Sequence, residues 1–204
     1  MPRALTRQLF YILGVIYGDG NLTKKEIRIF NNSYIFLEDV ANTFELIFGI
    51  CPKVRMRLQR GRIHYVFRAY STKLARTISS KFNFPRNKRN IELPKSLTMA
   101  SHLNKRYFIA GLFDTDGTVI IRKRGKYIKP YIGLEAKSTV FIKQVKIMLQ
   151  SLGFDFTGPY RQKTCWNIRL EKSEQFNRFV ETIPMRHPKI NKIRTPSNNS
   201  LWPG

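Results

Sequence analysis

The sequence predicts an α+β protein made of two pseudo-symmetric αββαββα units, and three observations lead there. Two nine-residue stretches, ILGVIYGDG over 12–20 and IAGLFDTDG over 109–117, share one design: an apolar helical run with small residues inside it, closed by Asp-Gly. Asp19 and Asp116 stand 97 positions apart in a chain of 204 residues, nearly half its length. Behind each motif the same succession of β-prone stretches and capped helices follows. Between the copies lies a polar, basic connection over roughly 83–104, interrupted by Pro85 and Pro94. The first unit therefore covers 1–95 and the second 103–204.

The elements follow in order. After the first motif, residues 22–30 (LTKKEIRIF) are basic and β-prone. Ser33 is placed to cap a helix carrying Phe36, Leu37, Val40, Phe44, Ile47 and Phe48, and Gly49 stops it. A hairpin over 53–71 turns at Arg60-Gly61, and another helix ends the unit. The second copy repeats the order. A hairpin over 118–136 turns near Arg124-Gly125, and Ser138 opens a helix with Phe141, Ile142, Val145, Leu149 and Leu152 before Gly153. A second hairpin over 160–170 then turns near Lys163.

Composition indicates the partner. With 37 Lys and Arg against 13 Asp and Glu, the formal charge is +24, spread along most of the chain. Such a balance favours a polyanion, because neutralising phosphates releases their condensed counterions. At 42% hydrophobic residues the chain still builds a core, which excludes a basic disordered arm. No apolar run is long enough to span a bilayer and no signal peptide opens the chain, so the expected location is intracellular, cytoplasmic or organellar, without secretion or membrane contact. Cys51 and Cys165 read as ordinary thiols, and His64, His102 and His187 are too scattered for a zinc site.

The hairpins are candidate binding ribbons. Along 54–59, apolar Val54, Met56 and Leu58 alternate with Arg55, Arg57 and Gln59, so a strand is expected to bury one row and present the other. On the return strand Ile63, Tyr65 and Phe67 alternate with Arg62, His64 and Arg68. A two-stranded ribbon fits the major groove, where Arg and Gln read base edges and other cations hold phosphates. Lys24, Lys25, Arg28 and Arg60 in the first unit join this set, as do Arg122, Arg124, Lys126, Lys129, Arg161, Lys163 and Arg169 in the second. Trp166 and the many Phe residues are expected in the core.

The Asp-Gly motifs carry the chemistry. Gly14 and Gly18, like Gly111 and Thr115, lie four apart on one helix face, so two such faces can pack closely and bring Asp19 and Asp116 together. Adjacent carboxylates repel unless neutralised, and beside a phosphodiester a divalent cation with hard oxygen ligands, Mg²⁺ above all, is the natural partner.

These motifs resemble those of the LAGLIDADG homing endonucleases, specifically the single-chain kind with two motifs, over nearly the whole chain. IAGLFDTDG matches closely; ILGVIYGDG departs at Leu13 and Tyr17. The resemblance implies a saddle of two sheets on DNA and a monomeric, site-specific endonuclease. Such an enzyme cuts both strands of a long asymmetric duplex across the minor groove, leaving short 3′ overhangs. It implies Mg²⁺, with Mn²⁺ able to substitute, held by Asp19 and Asp116 with the carbonyls of Gly18 and Thr115. Asp114, in the sixth motif position, is assigned a capping or structural role. For residues that order water near the scissile phosphate, the candidates are Asn31 and Asn32 in the first half and Lys137 in the second, with Ala136 where a polar side chain is expected. Asn32 and Lys137 are taken as the catalytic assistants, and this inequality predicts unequal nicking of the two strands. Two alternatives stand beside the nuclease: a maturase binding its host intron RNA, and a non-cleaving DNA-binding regulator. The absence of flanking protein-splicing segments favours a free-standing, intron-encoded enzyme.

Overall fold

The computed structural model describes residues 2–59, 61–85, 88–124 and 127–190; along 121–124 and 127–130 and at 190 it describes the course of the backbone alone. The chain runs α1 (Arg3–Asp19), β1 (Gly20–Leu22), β2 (Glu26–Asn31), α2 (Tyr34–Phe48), β3 (Lys53–Gln59), β4 (Arg62–Tyr70) and α3 (Thr72–Lys81). A 3₁₀ turn at Lys88–Asn90 and the short α4 (Lys95–Thr98) lead to α5 (His102–Thr115). The order then repeats as β5 (Gly117–Arg124), β6 (Tyr127–Ala136), α6 (Thr139–Ser151), β7 (Thr157–Gln162), β8 (Cys165–Leu170) and α7 (Ser173–Thr182), ending in a 3₁₀ turn at Pro188–Ile190. The strands form two antiparallel sheets of matching order, β1-β2-β4-β3 and β5-β6-β8-β7.

Local chemistry sets these boundaries. Ser33 and Ser138 accept hydrogen bonds from the amides of Phe36 and Phe141 at 3.3 and 3.2 Å, satisfying orphan donors at the starts of α2 and α6. Gly49 ends α2 in the left-handed conformation at φ 64°, which costs glycine nothing. The connection expected to lack regular structure holds the two short helices, with Pro94 at the start of α4, where its missing N–H is harmless.

One face of each sheet packs on helices. In the first sheet Ile27, Ile29, Phe67 and Ala69 are buried; in the second, Ile132, Leu134, Ile168 and Leu170. The apolar row of the β3–β4 ribbon departs from the expected burial. Phe67 is buried and Val54 and Tyr65 are partly covered, whereas Met56, Leu58 and Ile63 are 66, 70 and 53% exposed. The register pairs Leu58 with Ile63 beside the turn, so the ribbon's far end carries the apolar row beyond the cover that shields Phe67. Trp166 packs partly covered against the core instead of inside it.

The halves meet through α1 and α5. A Cβ on Gly14 would stand 2.1 Å from the Phe108 carbonyl oxygen, and one on Gly111 would stand 2.1 Å from that of Tyr11. Backbone lies on backbone, and any side chain at either position separates the helices. At the lower end Gly18 faces the Thr115 hydroxyl, which turns back to donate to the carbonyls of Gly111 and Leu112.

Candidate active site at the helix seam

The same close packing places the acids. A Cβ built on Gly18 would lie 3.5 Å from Asp116 Oδ2, so the carboxylate of one half sits beside the residue preceding Asp19 in the other. Burial raises the pKa of Asp19, and burial together with the charge of Asp19 pushes that of Asp116 up to about 6.

Two lysines close the site. Lys88 Nζ donates to the Gly18 carbonyl, and Lys189 Nζ donates to the carbonyls of Thr115 and Gly117 at 3.4 and 2.8 Å. Both lie in the 3₁₀ turns that follow the third helix of each half. Burial lowers both ammonium pKa values, opposed by the nearby acids. Neither lysine was a candidate in the sequence, because each lies about 70 residues beyond its aspartate and only tertiary packing brings it back.

The residues two before each aspartate explain how. Tyr17 donates its hydroxyl to the Phe82 carbonyl, and Asp114 Oδ2 accepts from the Arg186 amide at 2.7 Å and from the Tyr11 hydroxyl at 2.8 Å. Unlike in chemistry, Tyr17 and Asp114 do one job. Each ties down the segment that delivers its half's lysine. Asp114 is fully buried, with burial raising its pKa, and stands away from solvent as a structural anchor.

These segments also strap the opposite half. The Ser138 hydroxyl donates to the Ile91 carbonyl at 2.8 Å, and Gln144 pairs with both backbone groups of Leu93. In return, the Arg186 guanidinium lies 3.9 Å over the Tyr11 ring and donates to Gln8, Asp39 and Thr43.

Of the asparagines, Asn31 is the one turned toward the acid: its Nδ2 donates to Asp19 Oδ2 at 3.2 Å, while Asn32 is exposed on the other side of the chain. Strand alternation decides this, since adjacent residues point to opposite faces. Ala136 occupies the matching place in the second half: each stands two residues before its capping serine, and Asn31 pairs with Tyr65 as Ala136 pairs with Trp166. Lys137 is exposed at the rim, near enough for its charge to depress the Lys88 pKa.

The ribbon candidates divide by register. Arg28 pairs with Arg68, Arg55 with Val66, Arg57 with His64 and Gln59 with Arg62, all on the row opposite the helices; Lys24 and Lys25 are exposed in the β1–β2 turn. Arg28 and Arg68 share the Glu26 carboxylate, whose pKa they hold down. In the second sheet Arg169 lies between the rings of Tyr131 and Tyr160, at 5.5 and 5.9 Å. Arg161 pairs with Trp166, on the helix-side row by register, and is exposed. Lys163 is exposed at its turn with φ 52°. Arg122 pairs with Lys129, and Arg124 lies further along the same strand. Arg60 and Lys126 lie outside the described residues.

Among the described residues no three His, Cys, Asp or Glu side chains gather around one point. The oxygens the seam offers are two carboxylates and the carbonyls of Gly18 and Thr115, the carbonyls now accepting from Lys88 and Lys189; all are hard donors, which could take Mg²⁺ or Mn²⁺ rather than zinc.

Comparison with known proteins bears on the fold. A family model described as LAGLIDADG-like domain matches residues 104–184. A crystal structure of I-DmoI in complex with DNA and Mn superposes with a TM-score of 0.65 at 18% identity, covering 90% of this chain and 99% of that one. The homing endonuclease I-WcaI bound to its DNA recognition sequence gives a TM-score of 0.68 at 13% identity, covering 92% and 85%. The second half of the chain thus matches the LAGLIDADG-like family model, and the whole chain resembles LAGLIDADG homing endonucleases in fold. Its two-sheet α+β architecture is the LAGLIDADG fold, shared also with full-length DUF199/WhiA from Thermatoga maritima at a TM-score of 0.64 and 13% identity, over 95% of this chain and 61% of that one.

Among curated sequences, this chain is 28% identical over 182 residues to the probable translation initiation factor IF-2 of Methanocaldococcus jannaschii. It is 23% identical over 157 residues to the uncharacterized protein MJ0314 of the same organism. These matches cover 87% and 74% of this chain but 14% and 57% of those proteins, so it spans only part of their length. No helix among the described residues is long and apolar enough to cross a membrane.

Proposed function

We propose that this protein is a LAGLIDADG-type, site-specific DNA endonuclease that hydrolyses one phosphodiester in each strand of a long, asymmetric duplex target, leaving short 3′ overhangs. The observation that carries this is the pair Asp19 and Asp116, joined at the end of a glycine-packed helix seam beside two sheets whose open faces carry arginines. Asp19 and Asp116, with the carbonyls of Gly18 and Thr115, would hold Mg²⁺ or Mn²⁺. Bound there, the cation supplies Lewis acidity toward a phosphodiester oxygen and toward water.

The chain's own groups do the rest. The ribbon arginines neutralise backbone phosphates and read base edges in the major groove. Asn31 holds the Asp19 carboxylate at a fixed angle by its 3.2 Å hydrogen bond. Lys88 and Lys189 offset the repulsion of the buried acids in the free protein. A scissile phosphate offers their ammonium groups a charged acceptor, stronger than the carbonyls they now hold. Lys137, at the rim, is placed for a flanking phosphate.

The test is to incubate the protein and Mg²⁺ with a plasmid library carrying randomised sites and sequence the cut ends. An enriched site with 3′ overhangs is expected; cleavage without enrichment, or none, sinks the proposal. Both motif acids are intact, which favours cleavage over a purely regulatory role.

A further inference from the structure

A histidine from the second half reaches the acid of the first. His187, on the C-terminal segment anchored by Asp114, places Nε2 3.2 Å from Asn31 Oδ1, and its ring packs 4.8 Å from that of Phe36. Its other nitrogen, Nδ1, accepts from the Lys189 amide at 3.0 Å. A backbone N–H can only donate, so Nδ1 is the unprotonated nitrogen and the ring proton of the neutral imidazole sits on Nε2. Burial and the nearby Lys189 charge push the His187 pKa down to about 4, which keeps the ring neutral at physiological pH. Nε2–H therefore donates to Asn31 Oδ1, which also accepts from the Ser33 amide at 3.0 Å. With its oxygen held by two donors, the amide can present only its NH₂ to Asp19, where it donates at 3.2 Å.

We propose that His187 is a positioning residue of the second half that sets the first half's acid, Asp19, through the Asn31 amide. The second half has no such relay, because Ala136 stands where Asn31 stands in the first. The lysine segment that orients Asp19 thus belongs to the other copy of the repeat, and assembly of the first site depends on docking of the second half's last segment. For cleavage this rests on the endonuclease proposal; the hydrogen-bond relay itself does not.

The test compares wild type with His187→Leu, which keeps apolar packing on Phe36 but donates nothing, and His187→Gln, whose amide can restore the donor. On a cleavable target with Mg²⁺, each strand is followed by its own label. In the Leu variant one strand is expected to slow by about tenfold while the other keeps its rate, a loss of the size one buried hydrogen bond commands. The Gln variant is expected to return within about threefold of wild type. Equal slowing of both strands, no slowing, or a Gln variant as slow as Leu overturns the proposal. A second arm needs neither DNA nor metal: ¹⁵N spectra of the free protein are expected to show the Nε2–H tautomer of His187. Slow exchange of the Asn31 side-chain amide is expected in wild type and the Gln variant and fast exchange in the Leu variant. An Nδ1–H tautomer, or amide exchange unchanged by Leu, overturns it. If wild type cuts no DNA, the endonuclease proposal fails alone and this arm still decides the relay.

Discussion

The first and second halves repeat one backbone but furnish it differently. Around Asp19 stand Asn31 and His187, and the open sheet behind carries Arg28 and Arg68 bound to one buried carboxylate, Glu26. Around Asp116 stands Ala136 in place of the amide, and the matching sheet holds Arg169 between two tyrosine rings. What stays equal is the backbone contact at Gly14 and Gly111 and the delivery of one lysine to each motif carbonyl. At Gly14 and Gly111 the seam tolerates no asymmetry because both helices need the same close approach, whereas the flanking groups are free to differ.

The largest expected effect tests what the halves share. Asp19→Asn and Asp116→Asn are each expected to lower double-strand cleavage by at least ~100-fold while specific binding on a gel stays within a few-fold, since neutral amides bind a cation poorly but leave the ribbons intact. Full cleavage by either variant removes that residue from the site. Gly14→Ala and Gly111→Ala should destabilise the fold by similar amounts, about 3 kcal/mol each in urea unfolding, because both new methyls meet backbone that cannot yield. Tolerance of one but not the other would show that the seam is less symmetric than its contacts.

An effect of about that size depends on pH. The Asp116 carboxyl has a folded pKa of about 6 against an ordinary 3.8, so between those values the folded state holds more protons than the unfolded. Stability contributed at this group falls as pH rises through that window and stays lower above it. Asp116→Asn removes the penalty and should gain about 3 kcal/mol over wild type at pH 8 but little at pH 4, measured by denaturant unfolding at both. A gain independent of pH would mean that the charged form of Asp116 is not what costs stability.

The smallest effect concerns the open faces. Glu26→Gln frees two arginines from their shared anion, so non-specific DNA binding should strengthen and its salt dependence steepen by about one phosphate equivalent. Tyr160→Leu in the other sheet should leave the salt slope unchanged. Equal shifts in both would erase the electrostatic difference between the halves.

Much of this was present in the linear chain. The two Asp-Gly helices, the capping serines Ser33 and Ser138, the stop at Gly49 and the turn at Gly61 depend on interactions within a few residues, and they follow from residue type and spacing. The pairing of small residues at Gly14, Gly18, Gly111 and Thr115 was visible for the same reason: helical period alone puts them on one face.

Tertiary structure decided the rest. Lys88, Lys189 and His187 look like ordinary surface residues in sequence and reach the seam only because Tyr17 and Asp114 pin the segments that carry them. Asn31 rather than Asn32 faces Asp19 because strand parity, set by pairing with β4, chooses one of two neighbours. The exposed Met56, Leu58 and Ile63 show the same limit from the other side, since alternation predicts a face but not how far the helices extend to cover it. Local patterns fix elements because their energies are local; a site built across two halves depends on contacts roughly 70 to 150 residues apart that no short-range pattern encodes.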